Sequence, residues 1–174
     1  MEPKSFYVNY LANNEICELD EMLVREVIKE DPESVLDFGT GQGKNLKLIH
    51  ELDPRINLCG IDVSFLNIVH ARAKNDIPFL IIGDEYFLCR LRNFDVIITC
   101  SVLCHIKKIT TIIRDMKEVC TKSIIIAETK DIGGEFYYAH DYESFGFVCT
   151  GLSWYSSENN CKYKIYKYEK PNNE

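Results

Sequence analysis

Three glycines at alternate positions follow a short apolar run that carries an acid: Val35-Leu36-Asp37-Phe38-Gly39-Thr40-Gly41-Gln42-Gly43. A glycine-rich turn between a strand and a helix lets a ligand approach backbone that any Cβ would shield. It also aims unpaired N–H groups at that ligand. Nucleotide cofactors bind at such turns. The dinucleotide fingerprint is G-x-G-x-x-G, with a pyrophosphate at the helix N-terminus. Here the spacing is G-x-G-x-G, and Asp37 lies two positions before the first glycine. A carboxylate at that point repels a pyrophosphate. It suits a nucleoside cofactor that carries a cationic ammonium or sulfonium group.

Further acids close later apolar runs. Asn57-Leu58-Cys59-Gly60-Ile61 ends on Asp62, with Val63 next, and Phe79-Leu80-Ile81-Ile82-Gly83 ends on Asp84. A fourth run, Phe94 to Thr99, leads into Cys100-Ser101-Val102-Leu103-Cys104-His105-Ile106. In these motifs, in this order, the chain resembles the class I S-adenosylmethionine-dependent methyltransferases, from about Ser34 to Lys167. The resemblance implies S-adenosylmethionine as cofactor, held by Asp37, Gly39, Thr40 and Gly41. It implies Asp62, with Val63 beside it, as acceptor for the ribose hydroxyls, a task for an acceptor-only carboxylate. Asp84 would meet the adenine amino group, and Cys100 is a small residue beside the cofactor. Each acid also has a plainer reading, because an Asp after a strand often caps a helix or starts a turn.

Methyl transfer is an in-line displacement in which the protein aligns the nucleophile and excludes water. A general base helps where the acceptor must lose a proton. His105, just after the fourth run, has the titration range for that role, or it holds the loop. The aromatic stretch Phe136 to Tyr142 supplies His140 and Tyr142 as acceptor-binding candidates, and Tyr10 is a third. The family's amino-methylating branch carries an Asn/Asp-Pro-Pro-Tyr motif after the fourth strand, which Thr99-Cys100-Ser101-Val102 does not match. The cytosine-C5 branch places Pro-Cys there, whereas Cys100 follows Thr99.

The 174 residues fit one domain. An N-terminal helical segment, 1–31, would cap the site of a Rossmann-like core, 32–170. The net charge is −7, and residues 1–62 hold 13 acids against 6 bases. That balance opposes a phosphate backbone, so nucleic acid is not expected as partner. Eight cysteines fall mostly within apolar patterns and include no C-x-x-C pair, which argues against a metal site and for a reducing, cytoplasmic setting. No apolar stretch approaches the ~20 residues of a membrane span.

The elements follow from periodicity. Helical patterns are predicted at Asn14–Glu30, Lys44–Leu52, Ser64–Lys74 and Lys107–Cys120, and strands at Ile56–Ile61, Pro78–Ile82, Phe94–Thr99 and Ser123–Glu128. Glu85–Arg92 reads either as loop or as a turn of helix. Phe147–Tyr155 and Lys162–Tyr168 form a hairpin signal. The resemblance implies an α/β fold, a three-layer αβα sandwich. Its seven-stranded, mostly parallel sheet has the order 3-2-1-4-5-7-6 and ends in an antiparallel hairpin. The expected activity is methylation of an oxygen or nitrogen of a small molecule. The alternative is a non-catalytic methyltransferase-fold subunit that binds a protein partner.

Overall fold

Val35 and Leu36 are adjacent and both fully buried, yet they belong to different hydrophobic cores. The same split divides Leu58 from Cys59, and Val96 and Ile98 from Ile97. Successive side chains leave a strand on opposite faces, so continuous apolar runs mean a sheet covered on both sides. The computed structural model describes residues 11–74, 77, 79–130, 137–158 and 160–171. Its strands are β1 (Ser34–Phe38), β2 (Asn57–Asp62), β3 (Phe79–Ile82), β4 (Phe94–Cys100), β5 (Cys120–Thr129), β6 (Val148–Ser156) and β7 (Cys161–Glu169). They form one sheet in the order β3-β2-β1-β4-β5-β7-β6. The first five strands are parallel, and β7 runs antiparallel to both β5 and β6. This is the expected three-layer architecture.

Helices α1 (Glu18–Lys29), α2 (Lys44–Leu52) and α3 (Phe65–Lys74) cover one face, through Leu23, Val27, Leu46, Ile49 and Ile68. Helix α4 (Thr110–Val119) covers the other through Ile112, Ile113 and Met116. The chain after β1 therefore turns to one face and the chain after β4 to the other. These two strands are neighbours, and the divergence opens a crevice beyond their C-terminal ends, where open α/β sheets bind ligands.

Three boundaries differ from the periodic reading by more than one residue. Helix α1 begins at Glu18, not Asn14, because the Asp20 carboxylate accepts the Cys17 N–H at 2.9 Å and makes Cys17 the N-cap. Helix α4 begins at Thr110, not Lys107. The segment Leu103–His105 is a 3-10 turn, and Ile106 is extended, its carbonyl held by His140. Strand β5 starts at Cys120, which pairs with Phe94 through a register shift before Val96. The ambiguous stretch is a 3-10 helix, Glu85–Arg90.

Candidate active site

The glycine loop is tied down by its own amides. Gly39 and Thr40 both donate to the Ile61 carbonyl, at 2.8 and 3.0 Å, and Gly43 donates to Thr40 at 2.9 Å. Gly41, with φ +55°, donates its N–H to Asp62 Oδ2 at 2.8 Å. The sequence pattern predicted N–H groups turned toward a ligand. The structure instead spends these four amides on the protein. What the glycines supply is close approach. At Gly39, with φ +77°, a Cβ would lie 2.3 Å from Val102 Cγ2, so only glycine lets the loop after β1 meet the loop after β4.

Asp37 stands at the floor of that crevice, paired in register with Gly60 of β2 and Ile98 of β4. It is 1% exposed, and neither carboxylate oxygen has a hydrogen-bond partner among the described residues. Burial pushes its pKa up to about 7, and the negative charges of Asp62 and Asp20 add to the effect. The buried Thr40 hydroxyl is close enough to oppose that rise, as does the Lys44 charge, although the hydroxyl forms no hydrogen bond among the described residues. A buried, unpaired carboxyl costs several kcal/mol of order when it ionises. A cation placed beside it restores the charge.

Asp62 is treated differently. Its Oδ1 accepts from Ser64 N at 2.7 Å and from Asn67 Nδ2 at 3.2 Å, while Oδ2 accepts from Gly41 N. A carboxylate has about four acceptor positions. Three donors among the described residues leave room for one ligand hydroxyl, where the resemblance suggested two. Val63 follows, half-buried. Asp84 is half-buried and accepts the Tyr86 N–H at 3.1 Å as N-cap of the 3-10 helix. The turn reading of Asp62 and the capping reading of Asp84 therefore hold alongside any ligand role.

The opposite wall is the loop after β4. Ser101 adopts φ +55°, a left-handed conformation that is unusual for a residue with a Cβ. Glu128 of β5, 0% exposed, receives the N–H groups of Val102 and Leu103 at 2.8 Å each and of Cys104 at 3.2 Å. Burial raises its pKa, and these amides pull against the rise. The loop's carbonyls are held as well. His140 Nε2 lies 3.0 Å from Leu103 O and 2.9 Å from Ile106 O, so that nitrogen carries the proton and donates to them. Tyr138 N donates to Cys104 O at 2.7 Å. His105 rides on this braced loop, half-buried, with its ring centroid 4.6 Å from that of Tyr137.

Two acceptor candidates therefore differ from expectation in their setting. His140 is a brace of the β4 loop. Tyr142 is 0% exposed and packs in the core, 5.2 Å from the Tyr166 ring, which matches the structural reading of the aromatic cluster. Tyr10 and Phe136 lie outside the described residues. Cys100 is half-buried, and burial with the Asp20 charge pushes its thiol well above the ordinary range, away from any nucleophilic role.

Sequence reasoning missed Asp20. This fully buried acid in the first turn of α1 bonds Lys44 Nζ at 2.7 Å and lies 4.0 Å from Cys100 Sγ. Burial opposes the Lys44 charge, but Asp20 outweighs it and leaves the ammonium pKa raised. The pair pins α1 to the glycine loop. Glu128 was also missed as a functional residue, although an acid closing Ile124-Ile125-Ile126-Ala127 repeats the pattern that drew attention to Asp37 and Asp62.

The profile of the methyltransferase domain family matches residues 11–159. The chain belongs to that family. It is a class I, S-adenosylmethionine-dependent methyltransferase domain. Among solved structures, magnesium protoporphyrin IX methyltransferase from Synechocystis PCC 6803, with bound S-adenosylmethionine, is similar. It has 14% identity, covers 98% of both chains and gives a TM-score of 0.69. The N-methyltransferase NodS from Bradyrhizobium japonicum WM9, in complex with S-adenosylhomocysteine, has 13% identity over 98% of this chain and 100% of its own, with a TM-score of 0.69. TehB from Haemophilus influenzae has 17% identity over 87% of this chain and 62% of its own, with a TM-score of 0.68. No curated protein matches the sequence. The residues at this sheet edge fit the cofactor on this structure's own terms: the buried Asp37 carboxyl has no formed hydrogen bond among the described residues where a cation belongs, and Asp62 keeps one acceptor position.

Proposed function

We propose that this methyltransferase transfers the methyl group to an oxygen or nitrogen of a small-molecule acceptor. The observation that carries the reading is the braced loop after β4, the strand paired with Asp37's β1, which carries an imidazole, His105. When bound, S-adenosylmethionine supplies an electrophilic methyl on a sulfonium. Asp37 would offset a positive charge on the cofactor, Gly39, Thr40 and Gly41 would shape its seat, and Asp62 would accept a ribose hydroxyl. Val63 and Asp84 would serve the adenine, and Cys100 would be a small neighbour of the cofactor. His105 takes the proton from the acceptor, with Tyr137 against its ring. A rigid loop suits that task, since alignment of the nucleophile is most of what the protein contributes. Residues 11–31 act as a cap on the core.

The names of the similar proteins support a small acceptor: one is a porphyrin methyltransferase and another an N-methyltransferase. The acidic first third of the chain supports the same choice over RNA or DNA. The test is transfer of radiolabelled methyl from S-adenosylmethionine in a cell extract. Label in the low-molecular-weight fraction is the expected result, and label confined to protein or nucleic acid contradicts it. With the acceptor in hand, His105→Ala should lower turnover about 100-fold while cofactor affinity holds. Equal loss of affinity and thermal stability would make His105 a loop residue only.

A further inference from the structure

Residues 11–17 precede α1 and run across the glycine loop as a strap. Ala12 N donates to Asn67 Oδ1 at 2.9 Å, and Ala12 O accepts from Gln42 Nε2. Glu15 O accepts from Lys44 Nζ at 3.3 Å. A Cβ on Gly41 would lie 3.2 Å from Ala12 Cβ, so strap and loop are in contact. Asn67, on α3, is 3% exposed, and its other amide atom donates to Asp62 Oδ1 at 3.2 Å.

These bonds close a circuit. It runs from the Ala12 amide to Asn67, from Asn67 to Asp62, from Asp62 Oδ2 to the Gly41 N–H, and from the next residue, Gln42, back to Ala12. An amide side chain is the residue type that can serve here, since it accepts from the strap and donates to the acid at once. A carboxylate would repel Asp62, and an apolar group would strand the Ala12 N–H and take one donor from Asp62. Asn67 thus joins a surface segment to the acid that takes the cofactor's ribose.

We propose that Asn67 is a positioning residue that couples the N-terminal strap to Asp62, so that strap docking and cofactor binding reinforce each other. This rests on reading Asp62 and the glycine loop as the cofactor's seat. A ligand hydroxyl on the remaining Asp62 position fixes the carboxylate. The fixed carboxylate holds Asn67, and Asn67 holds Ala12 over the loop. Two ligands of one rigid group each make the other's binding easier.

The test uses S-adenosylhomocysteine as probe, with calorimetric affinity and hydrogen–deuterium exchange of amides 11–17. In the wild type, the probe should bind and slow exchange along the strap. Asn67→Leu removes both side-chain bonds at similar volume, and Ala12→Pro removes only the strap's donor outside the core. Ala12→Pro should weaken binding about three- to ten-fold, the loss of one hydrogen bond, and Asn67→Leu, which loses two, by at least as much. In each, the probe should no longer slow strap exchange, and Ala12→Pro should leave the melting temperature unchanged. If Asn67→Leu does not fold, Ala12→Pro decides alone. Wild-type affinity and wild-type strap protection in Ala12→Pro would overturn the proposal. A wild type that binds the probe without protecting the strap would overturn it too, while leaving the cofactor seat standing. A wild type that does not bind at all overturns the seat itself.

Discussion

Asp37 of β1 and Glu128 of β5 are both buried, at 1% and 0% exposure, close to the C-terminal ends of parallel strands. Asp37 has no hydrogen-bond partner among the described residues, while Glu128 receives three backbone N–H groups. The crevice between β1 and β4 is thus built from two walls with opposite electrostatic strategies. One wall completes its buried charge internally and becomes rigid. The other leaves its carboxyl incomplete, at a cost in stability that a cationic ligand reverses. Buried ions are tolerated only when paired or hydrogen-bonded, so the difference separates a framework acid from a binding acid.

Breaking the completed wall should have the largest effect. Glu128→Ala strands three amides, two of them in buried bonds, and by chemical denaturation the loss should be roughly 3–5 kcal/mol. Glu128→Gln, which keeps an acceptor oxygen, should lose about half as much. A change within error for Glu128→Ala would mean that the loop after β4 does not depend on this carboxylate.

On the other wall the effect should appear in binding and reverse sign in stability. Asp37→Asn should weaken S-adenosylhomocysteine binding about 100-fold, the loss of a buried charge-assisted contact. The same variant should unfold at equal or higher denaturant, because a buried ionisable group has been removed. A destabilised Asp37→Asn that still binds the ligand would make Asp37 a second framework acid.

Asp62 lies between the two cases, since it serves the protein through Ser64, Asn67 and Gly41 and keeps one position open. Asp62→Ala should therefore cost both properties, about 10-fold in affinity and about 1–3 kcal/mol in stability. A loss in only one of the two would assign it to a single wall.

The chain announced one wall more clearly than the other. Asp37, the glycines and Asp62 are legible because they sit within a local pattern of strand, turn and helix, and the apolar runs fix a sheet buried on both faces. Glu128 was legible only as another acid after a strand. Its donors lie 24 to 26 residues away, across a crossover that periodicity cannot place. Asp20 was hidden in the same way, since its partner Lys44 is 24 residues distant. The start of α1 was misplaced because the Cys17–Asp20 cap competes with a helical apolar spacing. Tyr142 and His140 were read from residue type alone, which cannot separate a core ring and a loop brace from an acceptor pocket.

Titration offers the most direct test. Asp37 moves from an ordinary 3.8 to about 7 on burial, so the ligand-free folded state binds more protons than the unfolded chain between those values. Its contribution to stability therefore falls as pH rises through that window and levels off above it. Ligand binding runs the other way. S-adenosylhomocysteine lacks the sulfonium but keeps the ammonium, and that cation requires the ionised carboxylate, so below neutrality the proton must leave, and affinity should climb with pH and flatten above about 7. The decisive measurement is calorimetric titration of S-adenosylhomocysteine at about pH 6 and again at about pH 8.5, in buffers of different ionisation enthalpy. The account predicts release of about one proton per ligand at the lower pH and close to none at the higher. Binding heats that do not depend on the buffer at either pH would contradict it, and Asp37 would no longer be the carboxyl held in reserve for the cofactor.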